Sequence, residues 1–433
     1  MDPRQIIDQR PMSLVQIAAV ATTIGLNALD GFDVLSISFA APGIAREWGV
    51  NQGTLGIVLS MELIGMALGS IALGGVADRI GRRPTLLVCL VVMAIGMAGA
   101  TLSHNIVELS AWRVLTGLGI GGMIPCLNAL ASEYANAKWR RVCLALMVIG
   151  YPLGAIIGGS IAALLLQGGD WRPIFLFGAA ATALFIPLVA FIAPESPAHL
   201  ASRQPADALA RINQTLKRMG HPAAESLPEP ERRASSPIMA LFSPALLATT
   251  VLVTLGYFAH ILAFYYVAKW LPKLVVDMGF NPSEAAGVLV SMSIGGVIGG
   301  LFWGVIAQRF NLKRMTVGVL VLSAAMLVVF GRGQAELGGL SLIAGLAGFV
   351  LQGGIVGLYT ILAEAFPTPV RASGTGFVIG VGRGGALLAP IVAGFLFQAG
   401  MGLQFVSVLM GAGSLVAAGA ILMLRLEAKP VAA

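Results

Sequence analysis

Residues 74–84 read GGVADRIGRRP, and a second copy of this stretch, GVIAQRFNLKR, occupies residues 304–314. Residues 131–141, ASEYANAKWRR, match residues 362–372, LAEAFPTPVRA, at nearly the same separation along the chain. Two different motifs repeated at one separation indicate a chain built from two similar halves. Facing repeats of this kind are typical of secondary transporters.

The apolar segments around these motifs show whether the protein lies in water or in a membrane. Of 433 residues, 57% are hydrophobic and only 11% are charged, and the mean hydropathy is +0.87. Because a soluble domain carries roughly 25% charged residues, this composition excludes a soluble protein and indicates an integral membrane protein. The 55 glycines and the long apolar runs favour closely packed helices over a β-barrel.

Twelve apolar runs are long enough, as helices, to cross about 30 Å of hydrocarbon. They are predicted near residues 15–41, 54–76, 84–103, 107–133, 142–167, 171–193, 244–271, 284–307, 315–331, 338–365, 374–398 and 401–424. The expected fold class is an all-α polytopic membrane protein with twelve transmembrane helices in two pseudo-symmetric six-helix bundles. We expect bundles at residues 1–193 and 244–433, joined by a cytoplasmic central loop at residues 194–243.

The distribution of cations predicts the orientation of the chain. Most of the 27 Lys and Arg residues fall on one side of the twelve spans, whereas Arg46, Arg172, Lys273 and Arg332 fall on the other. By the positive-inside rule, both termini are expected in the cytoplasm, with the protein in the cell inner membrane. The net charge of +7 therefore reflects topology, and it indicates contact with membrane lipid rather than with nucleic acid.

The chain shows no pattern typical of an enzyme or of a metal site. The cysteines lie within or beside predicted spans without metal-ligand spacing, which favours packing for Cys89, Cys126 and Cys143. The histidines are scattered and accompany no nucleophile motif: His104, His199, His221 and His260. No cofactor, metal or enzymatic activity is expected.

Two aspartates interrupt the first span in the stretch NALDGFDVLSISFA, residues 27–40. Asp30 and Asp33 are three residues apart and share one face of a helix. An ionisable group at membrane depth is a functional candidate by default. Burial and mutual repulsion favour the protonated form of one carboxyl, so we expect the pair to take up a proton or to set the charge of a cavity. The alternative is a position at the outer end of the helix, as solvated or pairing residues.

Other charges also fall inside predicted spans. Arg113 in the fourth and Arg383 in the eleventh span can each bind a carboxylate through parallel hydrogen bonds. We expect them to bind an anionic substrate; the alternative is an internal ion pair, for example between Arg113 and an acid of the first helix. Lys269 and Glu62 are further charges inside predicted spans. Each can either affect substrate selectivity or form a local ion pair.

The stretch at residues 74–83 resembles the signature loop of the major facilitator superfamily, whose members have twelve spans in two similar halves. This resemblance implies alternating access and a gating role for the loop and its counterparts; a simple topogenic charge cluster is the alternative. The gating residues expected are Gly74, Asp78, Arg79, Arg82, Arg83, Glu133, Arg140, Glu364 and Arg371. In the second copy Gln308 replaces Asp78, so an equivalent charged latch is not expected there.

Further motifs together resemble the aromatic acid:proton symporter family, which includes transporters of the benzoate, 4-hydroxybenzoate, protocatechuate and muconate type. They are DGFD at 30–33, RVLTGLGIGGMIP at 113–125, PESP at 194–197, WLP at 270–272, VRASGTG at 370–376 and GVGRGG at 380–385. The resemblance covers nearly the whole chain and implies import of a small aromatic carboxylate with protons. It places functional positions on Asp30, Asp33, Asp78, Arg113, Glu133, Arg371 and Arg383.

We therefore expect a secondary active transporter that imports a small aromatic carboxylate by proton symport and functions as a monomer. Aromatic side chains expected at the substrate, with packing as the alternative for each, are Phe32, Tyr151, Trp270 and Tyr359. The alternative functions are import of a non-aromatic organic acid or a nicotinate-like heterocycle, drug and proton antiport, and a non-transporting sensor. Antiport is suggested by the glycines of GYPLGAIIGG in the fifth span, which also suit helix packing.

Overall fold

The computed structural model describes residues 3–227, 238–307, 309–367 and 370–424, without the side chains of residues 74, 75, 78 and 372. These ranges are mainly α-helical. The helices are α1 (Pro3–Gln9), α2 (Leu14–Trp48), α3 (Gln52–Ile80), α4 (Arg82–Thr101), α5 (Ile106–Tyr134), α6 (Arg140–Leu165), α7 (Arg172–Ile192), α8 (Pro197–Arg203), α9 (Ala208–Arg218), α10 (Leu247–Asp277), α11 (Pro282–Ile306), α12 (Leu312–Phe330), α13 (Leu337–Ala365), α14 (Arg371–Gln398) and α15 (Leu403–Met423).

The predicted membrane-spanning architecture is confirmed. Within the described residues, the 12 helices α2–α7 and α10–α15 are long and apolar enough to cross a membrane. The first span is longer than predicted, because α2 continues through Pro42 to Trp48. A proline is tolerated in a membrane helix when neighbouring helices satisfy the freed backbone groups. The chain is thus an all-α, multi-pass membrane protein.

Contacts between residues divide the chain into two compact units. The first unit comprises Met1–Ala40 and Met61–Arg233, and the second comprises Ala41–Ser60 and Ala234–Ala433. Within the second unit, the hydroxyl of Ser60 donates to the carbonyl of Leu387 at 2.8 Å. The division into bundles at 1–193 and 244–433 stays a prediction.

Glycines produce the closest helix contacts in the first unit. A Cβ at Gly31 on α2 would overlap the carbonyl of Tyr151 on α6, and a Cβ at Gly154 would overlap the carbonyl of Ala28. The glycines of GYPLGAIIGG therefore bring α6 against α2. This contact favours the second interpretation of these glycines given above. Their spacing serves helix packing and need not indicate antiport.

We expect Gly31→Ala to lower the thermal stability of the protein, because a backbone carbonyl cannot move aside as a flexible side chain can. Overpacking of this kind typically costs about 1–3 kcal/mol. Gly287→Ala on α11 is the matched control, since nothing lies within 4 Å of its added Cβ. Melting of the detergent-solubilised variants measures the difference, and equal melting temperatures would contradict the packing role.

Three short helices pack together outside the spans. Their apolar side chains form one cluster with Ala224, which follows α9: Ile6, Ile7, Leu200, Ala201, Ile212, Leu216 and Ala224. These helices are α1, α8 and α9, and none of them falls within the twelve predicted spans. An ion pair between Asp8 and Arg140 joins the end of α1 to the start of α6.

Candidate functional site

A cluster of fully buried charges lies in the first unit. Asp30 and Asp33 on α2 are 2% and 0% exposed, and Glu62 on α3 and Arg113 on α5 are each 0% exposed. All four residues belong to helices that span the membrane. The solvated alternative for the two aspartates is therefore wrong, because neither side chain reaches the surface.

Arg113 is the centre of this cluster. Its Nη2 pairs with the Glu62 carboxylate and donates to the main-chain oxygen of Asp33 at 2.8 Å. Its Nη1 lies 3.0 Å from the Met97 sulfur, and its guanidinium lies 5.3 Å from the centre of the Phe175 ring. The internal ion-pair alternative is thus realised, but the acid comes from α3 and not from the first transmembrane helix.

Glycines on α3 and α5 bring Arg113 and Glu62 together. A Cβ at Gly117 would overlap the carbonyl of Glu62, and a Cβ at Gly65 would overlap the carbonyl of Val114. The two backbones are therefore in direct contact beside the ion pair. The GLGIGG run that follows Arg113 in the sequence is the signal that points to this close approach.

The Asp33 carboxyl group lies in the same cluster but lacks hydrogen bonds. Neither of its oxygens accepts a hydrogen bond from the described residues. It lies within electrostatic range of Arg113, Glu62 and Asp30, and a Cβ at Gly178 on α7 would be 3.2 Å from Asp33 Oδ1. A buried carboxylate without hydrogen bonds is costly, so this group is suited to carry a proton.

A second polar group lies in the second unit. The hydroxyls of Tyr257 on α10 and Tyr359 on α13 are 3.1 Å apart, and the ring centres are 5.7 Å apart. The half-buried Arg383 on α14 lies within electrostatic range of Tyr257. Sequence reasoning selected Tyr359 and Arg383 but missed Tyr257. A tyrosine in the middle of an apolar span was the available signal, because tyrosine otherwise favours the membrane interface.

The other predicted substrate residues lie partly or wholly inside their units. Trp270 is fully buried, and its indole N–H donates to a main-chain oxygen of α14 at 3.1 Å. Phe32 packs edge-on against Phe177 with ring centres 5.2 Å apart. Lys269 is fully buried and Tyr151 is half-buried. Substrate contact by these residues stays a prediction.

The PESP motif binds the predicted gating loop. Glu195 accepts hydrogen bonds from the backbone N–H groups of Arg82 at 2.9 Å and Arg83 at 3.2 Å, at the start of α4. The preceding Gly81 has φ +110°, and the Glu195 carboxylate fills the space that a Cβ would need. The Arg83 side chain donates to the carbonyl of Ala190 at 2.6 Å. Sequence reasoning recognised both motifs but did not predict that they bind each other.

Side chains also fix the turn between α5 and α6. The Glu133 side chain lies beside Ser196, and the hydroxyl of the next residue, Tyr134, donates to the carbonyl of Pro194 at 2.6 Å. Arg140 donates from Nε to the carbonyl of Ser132 at 2.9 Å and pairs with Asp8. The turn is therefore tied to α1 and to the segment that precedes α8.

The remaining gating candidates lie at the surface or outside the described residues. Arg371 donates from Nε to the carbonyl of Phe366 at 3.2 Å, and Arg79 and Glu364 are exposed. Neither Gln308 nor the side chains at Gly74 and Asp78 are among the described parts of the chain. The gating roles of the whole group stay predictions.

A cavity of about 690 Å³ in the second unit does not coincide with these groups. It lies between the α2–α3 and α10–α11 turns, and the charged residues that line it are Arg46, Lys273 and Asp277. None of the predicted proton or substrate residues lines it.

Comparison with protein families gives a match along most of the chain. Residues 23–331 and 253–433 match the family model described as Major Facilitator Superfamily. The gallate transporter of Pseudomonas putida is 30% identical over 99% of this chain and 97% of its own length. The 4-hydroxybenzoate transporter PcaK of Acinetobacter baylyi is 30% identical over 92% of this chain and 88% of its own length.

One further relative and two solved structures extend this similarity. The 3-(3-hydroxy-phenyl)propionate transporter of Escherichia coli is 29% identical over 93% of both chains. A D-xylose-proton symporter superimposes with a TM-score of 0.74 at 18% identity, covering 95% of this chain and 98% of its own. An inward-facing bacterial homologue of the human lysosomal transporter Spinster gives a TM-score of 0.75 at 15% identity, covering 95% and 96%. At these identities the two structures show the fold alone.

Proposed function

Because this chain belongs to the Major Facilitator Superfamily, we propose that it imports a small aromatic carboxylate together with protons. The substrate class is supported by the relatives that transport gallate, 4-hydroxybenzoate and hydroxyphenylpropionate, whose sequences align with nearly the whole chain. The buried charge cluster around Arg113 is the observation that carries the mechanism.

The composition of the cluster supports proton binding. Asp33 lies within electrostatic range of two other buried carboxyl groups, those of Asp30 and Glu62, and of the Arg113 guanidinium. Uncompensated negative charge in a low-dielectric interior is costly, and a proton on one carboxyl removes it. Asp33 is the proton carrier that we propose, since its oxygens receive no hydrogen bond from the described residues.

Competition for Arg113 supplies the coupling. We propose that the substrate carboxylate and the Glu62 carboxylate alternate as the partner of this guanidinium. Glu62 released as an anion would be a buried charge without its counter-ion, which costs several kcal/mol. A proton taken up by the cluster removes this cost, so substrate binding favours proton binding and the reverse.

The finer assignments are also proposals. The distribution of Lys and Arg supports a place in the bacterial inner membrane with both termini in the cytoplasm. We propose that the protein acts as a monomer. We further propose a gating role for the α3–α4 turn, which is supported by the hydrogen bonds that Arg82 and Arg83 donate to Glu195.

Uptake by right-side-out membrane vesicles tests this function. We expect labelled 4-hydroxybenzoate to accumulate when the vesicle interior is alkaline and to equilibrate when an uncoupler is added. Vesicles without the protein correct for passage of the undissociated acid. Benzoate and other aromatic acids should compete with the label, whereas succinate should not.

Accumulation that resists the uncoupler would contradict proton coupling. Competition by nicotinate or aliphatic acids alone would contradict the aromatic substrate class and favour the alternative importers. Faster efflux than influx at every gradient would favour antiport.

A further inference from the structure

Two tyrosine hydroxyls in the second unit meet between membrane-spanning helices, and Arg383 lies within electrostatic range of one of them. We propose that the hydroxyls of Tyr257 and Tyr359 form a subsite for a ring hydroxyl of the substrate, so that the protein selects hydroxylated over unsubstituted aromatic acids. This inference rests on the proposed function and adds a selectivity to it.

The hydrogen-bonding capacity of the pair fits a third hydroxyl. The two oxygens are 3.1 Å apart and either can be the donor. One hydrogen bond between two phenols leaves one O–H donor and several lone pairs unused. A hydroxyl on the substrate ring can accept from one tyrosine and donate to the other. A carboxylate can only accept, so it would leave part of this capacity unused.

Of the two tyrosines, only Tyr359 has a large exposed fraction that a substrate can contact. Tyr257 is 5% exposed, whereas Tyr359 is 43% exposed. The neighbouring Arg383 carries a charge within a membrane-spanning helix, and such a group faces a polar cavity or the protein interior because contact with lipid is too costly. We assign the accessible side of Tyr359 to the same face, because its hydroxyl bonds to Tyr257, the residue in electrostatic range of Arg383.

The surrounding contacts fix the position of Tyr257. Its ring lies against the backbone of Gly382, where any Cβ would collide with it. One turn further along α10, the fully buried His260 bonds through Nε2 to the carbonyl of Leu351 on α13 at 2.9 Å. A carbonyl only accepts, so Nε2 carries the proton, and Nδ1 accepts from the Ser414 hydroxyl at 3.0 Å. These bonds hold α10 and α13 in register and so pre-organise the two tyrosines.

A tyrosine on the same helix shows what a purely structural hydroxyl looks like. Tyr266 bonds to Ser407 at 2.8 Å, and both residues are fully buried. No substrate can reach that hydroxyl without separating helices. Tyr266→Phe is therefore a matched control for the variants of the accessible pair.

The selectivity that follows is moderate. A site whose polar groups are left unpaired by the wrong substrate can discriminate by about 10⁴ or more. Here the two hydroxyls still bond to each other when the ring lacks a hydroxyl, so the loss is about one hydrogen bond, or roughly tenfold. We expect the KM of the wild-type protein for 3- or 4-hydroxybenzoate to be about tenfold lower than for benzoate.

Uptake kinetics of Tyr359→Phe, Tyr257→Phe and Tyr266→Phe with both kinds of acid test the proposal. Tyr359→Phe should raise the KM for the hydroxylated acid about tenfold relative to that for benzoate, so that the preference shown by the wild type is lost. Tyr257→Phe should act in the same direction, and Tyr266→Phe should keep the wild-type ratio. Because Tyr359 is the more exposed residue, its variant decides the outcome if Tyr257→Phe does not fold.

An unchanged ratio in Tyr359→Phe, or an equal loss for both acids, would overturn the proposal. So would a wild-type protein that does not distinguish benzoate from either hydroxybenzoate. Failure of the wild-type protein to take up any of these acids would contradict the proposed function instead.

Discussion

Glu62→Leu is expected to lower the free energy of unfolding by about 3–5 kcal/mol, since it leaves the buried guanidinium of Arg113 without its carboxylate. The double variant Glu62→Leu with Arg113→Met should recover most of this stability, because it removes both charges and keeps similar side-chain volumes. It should not recover transport, because the proposed substrate arginine is absent. Thermal unfolding of detergent-solubilised protein measures stability, and vesicle uptake measures transport.

An exposed ion pair supplies the control for this series. Asp170 and Arg172 lie 3.7 Å apart with the Asp170 side chain 53% exposed. Pairs of this kind contribute about 0–1 kcal/mol, so Asp170→Asn should unfold nearly like the wild type. A double variant as unstable as Glu62→Leu would contradict the assignment of the effect to the unpaired Arg113 charge.

Asp33→Asn is expected to abolish accumulation against a gradient while the protein still exchanges external for internal substrate. The amide has the size of the carboxyl group but cannot take up a proton. No hydrogen bond to the Asp33 carboxylate oxygens is lost within the described residues, so thermal stability should be retained. Counterflow of labelled 4-hydroxybenzoate in preloaded vesicles measures exchange, and uptake under an imposed pH gradient measures accumulation.

The neighbouring acid provides the comparison for this variant. Asp30→Asn removes a carboxyl group that is also buried on α2. We expect it to impair accumulation less completely, since the proton is assigned to Asp33. Full accumulation by Asp33→Asn together with none by Asp30→Asn would move the proton site to Asp30.

Much of the fold follows from local features of the sequence. The length and apolarity of each run predict a span, because an unbroken helix is needed to satisfy the backbone in lipid. The end of α2 was predicted too early, at residue 41, where the apolar run ends. The next two residues, Pro42 and Gly43, are unfavourable inside helices. The helix continues through them to Trp48. Such a continuation depends on neighbouring helices and has no signal in the segment itself.

The site was predictable where one helix determines it, and not where several do. The shared face of Asp30 and Asp33 follows from their spacing, and both side chains are buried. The partner of Arg113 was sought on the first helix, yet Glu62 lies beside it because Gly117 and Gly65 bring α5 against α3. Which two helices touch is a tertiary property that a single sequence does not reveal.

The same limit applies to the contacts made by Tyr257 and Glu195. Each residue was visible in the sequence, one inside an apolar span and the other inside PESP. Their partners, Tyr359 and the amides of Arg82 and Arg83, are far away along the chain. The chemistry of each residue was therefore known from the sequence, but its role required the structure.

Simultaneous recording of proton and substrate entry tests the central claim most directly. Labelled 4-hydroxybenzoate is added to weakly buffered proteoliposomes, and external pH is followed with uptake, after subtraction of the signal from protein-free liposomes. The account predicts that the wild-type protein makes the medium alkaline in fixed proportion to the substrate taken up, and that Asp33→Asn exchanges substrate without this change. Substrate entry without protons in the wild type, or an unchanged ratio in Asp33→Asn, would contradict it.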